Sequence, residues 1–517
     1  MSGTPRARSS PIERNLPPDP VAATVNQKSV RRLGPREFIR LQRMTYVLVR
    51  HLLPGLLRKK NRTAEMLAPR LYRVVTSLGP PLVKLSQVVS SSPGLFPAPI
   101  SHQLRDLLDA APPEKWEHME NVLEKGLGGS SDQFFSKIDP DPLAAASIAQ
   151  VHAATLRDGT EVVVKIRRPG VEKKFLRDLR LLRVTARLAQ RFSKSARVLN
   201  PVAIVDDVVT TLGQELDFGR EAASMERFEA NLRSFGSNDA IRVPAVHHAY
   251  CGHGVLTMER IDGIKVDDLP SLLETGFDLF NLLRAGVRAW IEAACEHGFF
   301  HGDVHAGNLM VDRDGKVVFL DFGIMGQLDD VTRDLVRRGV VAMLHRQDFG
   351  EVTRCLAELG CHLGHRTDHE RAAAAISRLV TPWLSKPIAE IDYLEIFGQA
   401  VRAARPKGVQ LPRSLVLLGK QVLYFERYAV LVAPDYDILA DTWLIEFMID
   451  GYQPPSSGGP DAGSASSAVD VPNGTGAGVP VAEGGPRPAD DPSPSRRGGV
   501  AVGANGTRRR RKRPAVD

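Results

Sequence analysis

Cysteine is scarce in this 517-residue chain: the four, Cys251, Cys295, Cys355 and Cys361, are scattered. That excludes a disulfide framework and fits a reducing cytosol. No uninterrupted apolar run approaches the roughly 20 residues that a membrane-spanning helix needs. Met1–Gln27 has no apolar core and so does not read as a secretory signal. Metal-ligand spacings of the C-x-x-C or H-E-x-x-H kind are missing. Cys355, Cys361, His362, His365 and His369 crowd together but match neither pattern, and they read as a helix end with incidental histidines.

Positive charge is in excess, +8 overall, but much of it sits in the run Arg508–Arg513. Such a run is a solvated, solubilising end or an anion-binding tail; nucleic acid is not the expected partner. Apolar content of 43% and charged content of 25% are those of a globular protein.

The chain is organised around His301-Gly302-Asp303-Val304-His305-Ala306-Gly307-Asn308, followed by Leu320-Asp321-Phe322-Gly323. The pattern is H-x-D-x-x-x-x-N, a strand pair, then D-F-G. Phosphoryl transfer from ATP needs a carboxylate beside the attacking oxygen, and a carboxylate and an amide to hold magnesium against the phosphates. Asp303 fits the first role; Asn308 and Asp321 fit the second. Two apolar runs, Leu309–Val311 and Lys316–Leu320, flank the turn Asp312-Arg313-Asp314-Gly315. A hairpin there brings Asn308 and Asp321 to the same end of two paired strands.

Upstream, Phe134–Ile166 reads as β-structure interrupted by an alanine-rich loop, Leu143-Ala144-Ala145-Ala146-Ser147. The strand Glu161–Ile166 carries Lys165 in the V-x-V-K context of an ATP-binding lysine. No G-x-G-x-x-G precedes it, so the loop over the phosphates is built on alanine and should be stiffer than a glycine loop. Asp206–Leu232 reads as one helix. It carries Glu215, Asp217 and Glu221, with Glu221 the candidate ion-pair partner of Lys165. Short strands are expected over Val243–Tyr250 and Gly254–Glu259. Met258–Gly263, with Glu259, forms the hinge whose backbone can pair with adenine. Further helices are expected over Leu279–His297, Asp330–Leu344, Phe349–Leu359, Glu370–Leu384, Tyr393–Ala404 and Arg413–Leu431.

Near the N-terminus, apolar residues from Phe38 to Leu57 recur at helical spacing with arginines and lysines between them. A basic amphipathic helix either lies in an anionic membrane interface or packs on its own domain. Pro54 should kink or end it. Lys84 and Gln87 lie one helical turn apart.

These residues resemble the UbiB (AarF/ADCK) family of atypical kinases, from about Lys84 to Gly326 and on into the C-terminal helices. Lys84-Leu85-Ser86-Gln87 resembles the family's K-x-G-Q signature, with Ser86 in place of glycine. Ala144–Ser147 resembles its alanine loop, Lys165 its strand lysine, Glu215 and Asp217 its E-x-D pair, and Glu221 its helix glutamate. H-G-D-V-H-A-G-N departs from the usual H-A-D-P-H-P-G-N but keeps the aspartate and the asparagine. The resemblance implies an α+β, two-lobed protein-kinase-like fold with a helical N-terminal extension. It also implies Mg-ATP as cofactor, with Lys84, Gln87 and the E-x-D acids facing the nucleotide. Support of isoprenoid quinone or lipid metabolism is implied more than protein phosphorylation. Many members end in membrane-spanning helices; the polar tail here points instead to a cytoplasmic protein, peripheral at the inner face of the membrane.

The expected organisation is a disordered stretch over 1–30, the helical extension over 31–130, a β-containing lobe over 131–262, a helical lobe over 263–452 and a disordered Gly/Pro/Ser-rich basic tail over 453–517. Two other readings compete. A small-molecule phosphotransferase of the aminoglycoside or choline kinase kind also uses H-G-D…N, but has neither K-x-x-Q nor E-x-D. A pseudokinase scaffold would not need Lys165, Asp303, Asn308 and Asp321 together.

Overall fold

The computed structural model describes residues 35–57, 64–78, 103, 112–192, 201–235, 238–360, 366–383, 386–387, 390–391, 413–437 and 440–449. Lys84 and Gln87, the helix expected over Tyr393–Ala404, the residues Cys361, His362 and His365, and both terminal stretches lie outside the described residues.

Two helices come first, α1 (Pro35–Leu57) and α2 (Ala64–Leu78). Pro54 lies inside α1, one turn before its end, and does not stop it. Met44 and Val47 of α1 pack on Ala68, Val74, Val75 and Leu78 of α2 and on Leu181 of a later helix. After α3 (Trp116–Leu127) comes an antiparallel sheet of β1 (Phe135–Ala145), β2 (Ala149–Leu156), β3 (Glu161–Arg167) and, in the same spatial order, β5 (Val255–Glu259). Alternation in β3 sends Val162, Val164 and Ile166 to Met119 and Leu123 of α3, which leaves Val163 and Lys165 on the opposite face.

Three helices follow β3: α4 (Val171–Phe192), α5 (Pro201–Glu215) and α6 (Phe218–Ser234). The single helix expected over Asp206–Leu232 is therefore two. Asp217 decides the break: its carboxylate accepts the Arg220 N–H at 3.0 Å and caps α6. The strand expected over Val243–Tyr250 is also replaced, by β4 (Ile241–Arg242), an isolated bridge at Val246 and a 3-10 turn, His248–Tyr250. Pro244 offers no N–H for a ladder.

The second lobe is built on α7 (Leu279–Cys295). A small sheet in the order β4, β9 (Val317–Phe319), β8 (Leu309–Asp312) and β6 (Gly263–Lys265) lies beside it. A two-stranded ribbon, β7 (Phe299–His301) with β10 (Met325–Gln327), brackets the motif region. The helices α8 (Asp330–Leu344), α9 (Phe349–Glu358), α10 (Arg366–Val380) and α11 (Arg413–Val432) complete it. Phe425 and Tyr428 of α11 enter the main core, where Phe425 stacks on Trp290 of α7 at 5.5 Å. The architecture is α+β and kinase-like.

Among the described residues no helix is long and apolar enough to cross a membrane.

Candidate active site

Lys165 is where the two lobes meet. Its ammonium lies 2.7 and 2.9 Å from the two carboxylate oxygens of Glu221 and 3.3 Å from Oδ2 of Asp321. Each element delivers its residue for a local reason. The pleat of β3 points Lys165 away from α3. Helix α6 buries Phe218, Glu221, Ala222, Met225 and Phe228 along one stripe. The hairpin β8–β9 closes because the Asp312 carboxylate accepts the N–H groups of Asp314 and Lys316, and because Gly315 takes φ +74°. Its ladder continues past the strands with Leu320 N–H donating to Asn308 O at 3.0 Å, which sets Asp321 close to Asn308.

Glu221 is 2% exposed, whereas the Asp321 side chain is 47% exposed and open to solvent. Burial pushes the Glu221 carboxyl up to about 7, against the pull of the Lys165 ammonium. Burial alone would lower Lys165, but the charges of Asp321 and Glu221 outweigh it and raise the ammonium above its ordinary range. Asp321 Oδ1 accepts the Gly323 N–H at 2.9 Å. Phe322 turns behind the site onto Phe228, with ring centroids 5.4 Å apart.

The H-x-D-x-x-x-x-N loop, His301–Asn308, is held from below by His301, which is fully buried. Its Nδ1 accepts the Asp303 N–H at 3.1 Å and its Nε2 donates to Asp321 O at 2.5 Å. A certain donor at one nitrogen and a certain acceptor at the other fix the neutral tautomer. Burial also lowers the pKa of this ring. One imidazole thus couples the backbone of Asp303 to that of Asp321. Asn308 donates from Nδ2 to Asp303 O at 3.0 Å, which turns its carbonyl oxygen the other way.

Asp303 is engaged from a distant helix. Lys420 of α11 places its ammonium 2.7 Å from Asp303 Oδ1, while His305 Nε2 stands 3.8 Å from Oδ2. The next residue, Gln421, reads the backbone on both sides of Asp303. It accepts the Val304 N–H at 2.7 Å and donates to Gly302 O at 2.5 Å. The helix can come this close because residue 302 has no side chain: a Cβ there would lie 2.9 Å from Leu417 Cδ2. Neither Lys420 nor Gln421 carries a signal in the sequence. They sit mid-helix, 117 residues beyond the loop, and only packing reveals them.

The other expected residues fall as follows. Ala144 and Ala145 belong to β1, and the turn itself is Ala146-Ser147-Ile148, tighter than the loop expected. No residue in it has positive φ, so it has no need of glycine. Arg168 pins it by donating to Ala146 O at 2.7 Å. The pairs Ala144–Val151 and Val151–Lys165 put the alanine strand in register with the lysine, two strands and so roughly 10 Å away. Glu215 stands beside the D-F-G turn: its Cγ is 3.7 Å from where a Cβ on Gly323 would be. Asp217 spends one oxygen on the α6 cap. The Glu259 carboxylate is taken up by Arg242 at 2.5 Å and by the Ala245 N–H at 3.2 Å. Any contact it makes with adenine must come from the main chain.

The oxygen donors Asp321 and Asn308 suit a hard cation that completes its shell with phosphate and water. Among the described residues no cluster of three or more His, Cys, Asp or Glu side chains is arranged to hold a metal without such a ligand.

The model of the ABC1 atypical kinase-like domain matches residues 106–355. An uncharacterised protein of Mycobacterium tuberculosis is 39% identical over 75% of this chain and 80% of its own length. The probable protein kinase UbiB of Azotobacter vinelandii is 34% identical over 75% of this chain and 72% of its own. That of Marinobacter nauticus is 34% identical over 71% and 67%. A solved Mycobacterium tuberculosis protein in complex with erythromycin is similar at 21% identity and TM-score 0.46, over 75% of this chain and 98% of that one.

Proposed function

Because the chain belongs to the ABC1 atypical kinase-like, UbiB-type family, we propose that it binds Mg-ATP between its lobes and transfers or hydrolyses the γ-phosphoryl group. The observation that carries this reading is the convergence of Lys165, Glu221 and Asp321 from β3, α6 and the segment after β9. Structural economy alone would not assemble it. A buried ion pair roughly breaks even against apolar packing, and here a second carboxylate beside the lysine is left open to solvent. Lys165 contacts the phosphates. Asn308 and Asp321 hold magnesium, which when bound neutralises phosphate charge. Asp303 receives the acceptor's proton, and Glu215, beside the D-F-G turn, would help hold the metal.

The acceptor is water or a small isoprenoid or lipid molecule, in keeping with a role in quinone or lipid metabolism. Peripheral contact with an anionic membrane is supported by α1, whose outward face keeps Phe38, Ile39, Tyr46 and Val49 between 49% and 64% exposed beside Arg43 and Arg50.

Asp321→Asn removes one ligand charge and should abolish stabilisation by Mg-ATP in a thermal-shift titration, while leaving the melting temperature without ligand near that of the parent. An unchanged Mg-ATP shift in the variant would sink the metal assignment.

A further inference from the structure

The loop from His301 to Asn308 contains an aspartate, two histidines and an asparagine, but no lysine or arginine. A phosphoryl group in flight spreads negative charge over its equatorial oxygens, and a cation beside those oxygens lowers the barrier. Lys165 pairs with Glu221 and Asp321 and serves the nucleotide's phosphates. The acceptor side needs a cation from elsewhere.

We propose that Lys420 supplies it: α11 delivers an ammonium that holds Oδ1 of Asp303 and contacts the transferring phosphoryl group. This rests on the Mg-ATP reading above. Three observations carry it. The Lys420 ammonium is 2.7 Å from Asp303 Oδ1, so any acceptor oxygen held by Oδ2 brings the phosphorus within a few ångströms of the same cation. The lysine is placed by its neighbours: Gln421 fixes helix to loop through Gly302 and Val304, and the Tyr424 ring, one turn on, lies 5.5 Å from Nζ. Finally, Lys420 is only 12% exposed, a costly position for a surface solubilising charge. Lys420, Gln421 and Tyr424 all lie beyond residues 106–355, the stretch matched by the family model.

The step balances simply. The acceptor oxygen bonds to the γ-phosphorus, and the bond from that phosphorus to the bridging oxygen breaks and leaves ADP. The acceptor's proton passes to Asp303 through Oδ2. Lys420 keeps its own proton throughout and acts by charge.

The experiment compares parent, Lys420→Met and Lys420→Arg in Mg-ATP turnover and in thermal shift with Mg-ADP, with and without aluminium fluoride as the phosphoryl mimic. The methionine variant should lose about 100-fold in kcat with nucleotide affinity nearly unchanged, as when one charge-stabilising donor is removed. It should keep the Mg-ADP shift and lose the extra shift from aluminium fluoride. Arginine should recover activity to within about tenfold of the parent, because charge returns with altered geometry.

Turnover by Lys420→Met within about threefold of the parent overturns the inference. So does equal loss in both variants, or loss of the plain Mg-ADP shift, since either marks a structural role. A methionine variant that does not fold leaves the decision to arginine, whose recovery supports the cation and whose failure rejects it. A parent that neither binds nor turns over Mg-ATP removes the underlying reading, and this inference with it.

Discussion

At Lys165 one ammonium answers two carboxylates of different character, one sealed in the core and one open to solvent. The sealed one, Glu221, is the sensitive partner. Lys165→Met removes the pull that opposes burial, so the folded carboxyl keeps its proton well above the unfolded value of 4.5. Between those two points the folded state binds more protons than the unfolded, and stability falls as pH rises. The unfolding free energy of Lys165→Met should therefore drop as pH rises from about 5 through 7, by about 1.4 kcal/mol per unit of pKa difference. In Lys165→Met/Glu221→Gln that slope should be missing, as denaturant titrations at several pH values can check. Parallel slopes would mean that Glu221 is solvated in the variant. Lys165, Asp303, Asn308 and Asp321 were legible as candidates because the chemistry dictates both residue type and spacing. The cap made by Asp217 and the tie from Glu259 to Arg242 were not, since a carboxylate in a string of letters does not say which N–H it meets.

Elements were legible where period and punctuation agree. The hairpin β8–β9 follows from two apolar runs around Asp312–Gly315, and α7 from its long stripe. Legibility failed where a single bond decides, as at the α5–α6 break, where apolar periodicity runs on through Leu216 while Asp217 caps a new helix. The helix α11 was legible, expected over Arg413–Leu431 and found over Arg413–Val432, but its tie to the His301–Asn308 loop was not. Gln421 is fully buried and makes two bonds to the backbone of the His301–Asn308 loop. Gln421→Leu leaves the Val304 N–H and the Gly302 carbonyl without those partners, at about 1–3 kcal/mol for each buried group. Chemical denaturation should show a loss of about 2–6 kcal/mol, with turnover falling alongside. A loss below about 0.5 kcal/mol, the scale of an ordinary surface change, would show that the loop holds itself.

On the scale of the whole molecule, the N-terminal helices are attached through a buried charge. Arg40 of α1 meets both oxygens of Asp178 on α4, at 3.0 and 2.6 Å, and also donates to Leu78 O at the end of α2. Asp178 is 3% exposed in its side chain, and removing one partner of such a pair costs about 3–5 kcal/mol. That pair fixes which side of α1 faces inward and so holds Phe38, Ile39, Tyr46 and Val49 outward. Phe38→Asp/Ile39→Asp should reduce cosedimentation with phosphatidylglycerol vesicles severalfold and leave vesicle-free turnover intact. Undiminished binding would assign membrane contact, if any, to another surface. The amphipathic period announced this helix. It did not reveal which arginine turns inward, because that depends on a carboxylate 138 residues away.

The distance along the chain from Asp303 to Lys420, 117 residues, has a bearing on biosynthesis. A ribosome adding about 5–20 residues per second needs roughly 6–23 s to pass from one codon to the other. For most of that interval the growing polypeptide owns its D-F-G turn and its strand lysine but not the helix that steadies the loop between them. On the Mg-ATP reading, nascent chains should therefore turn over no nucleotide until α11 has been made and has packed on the loop.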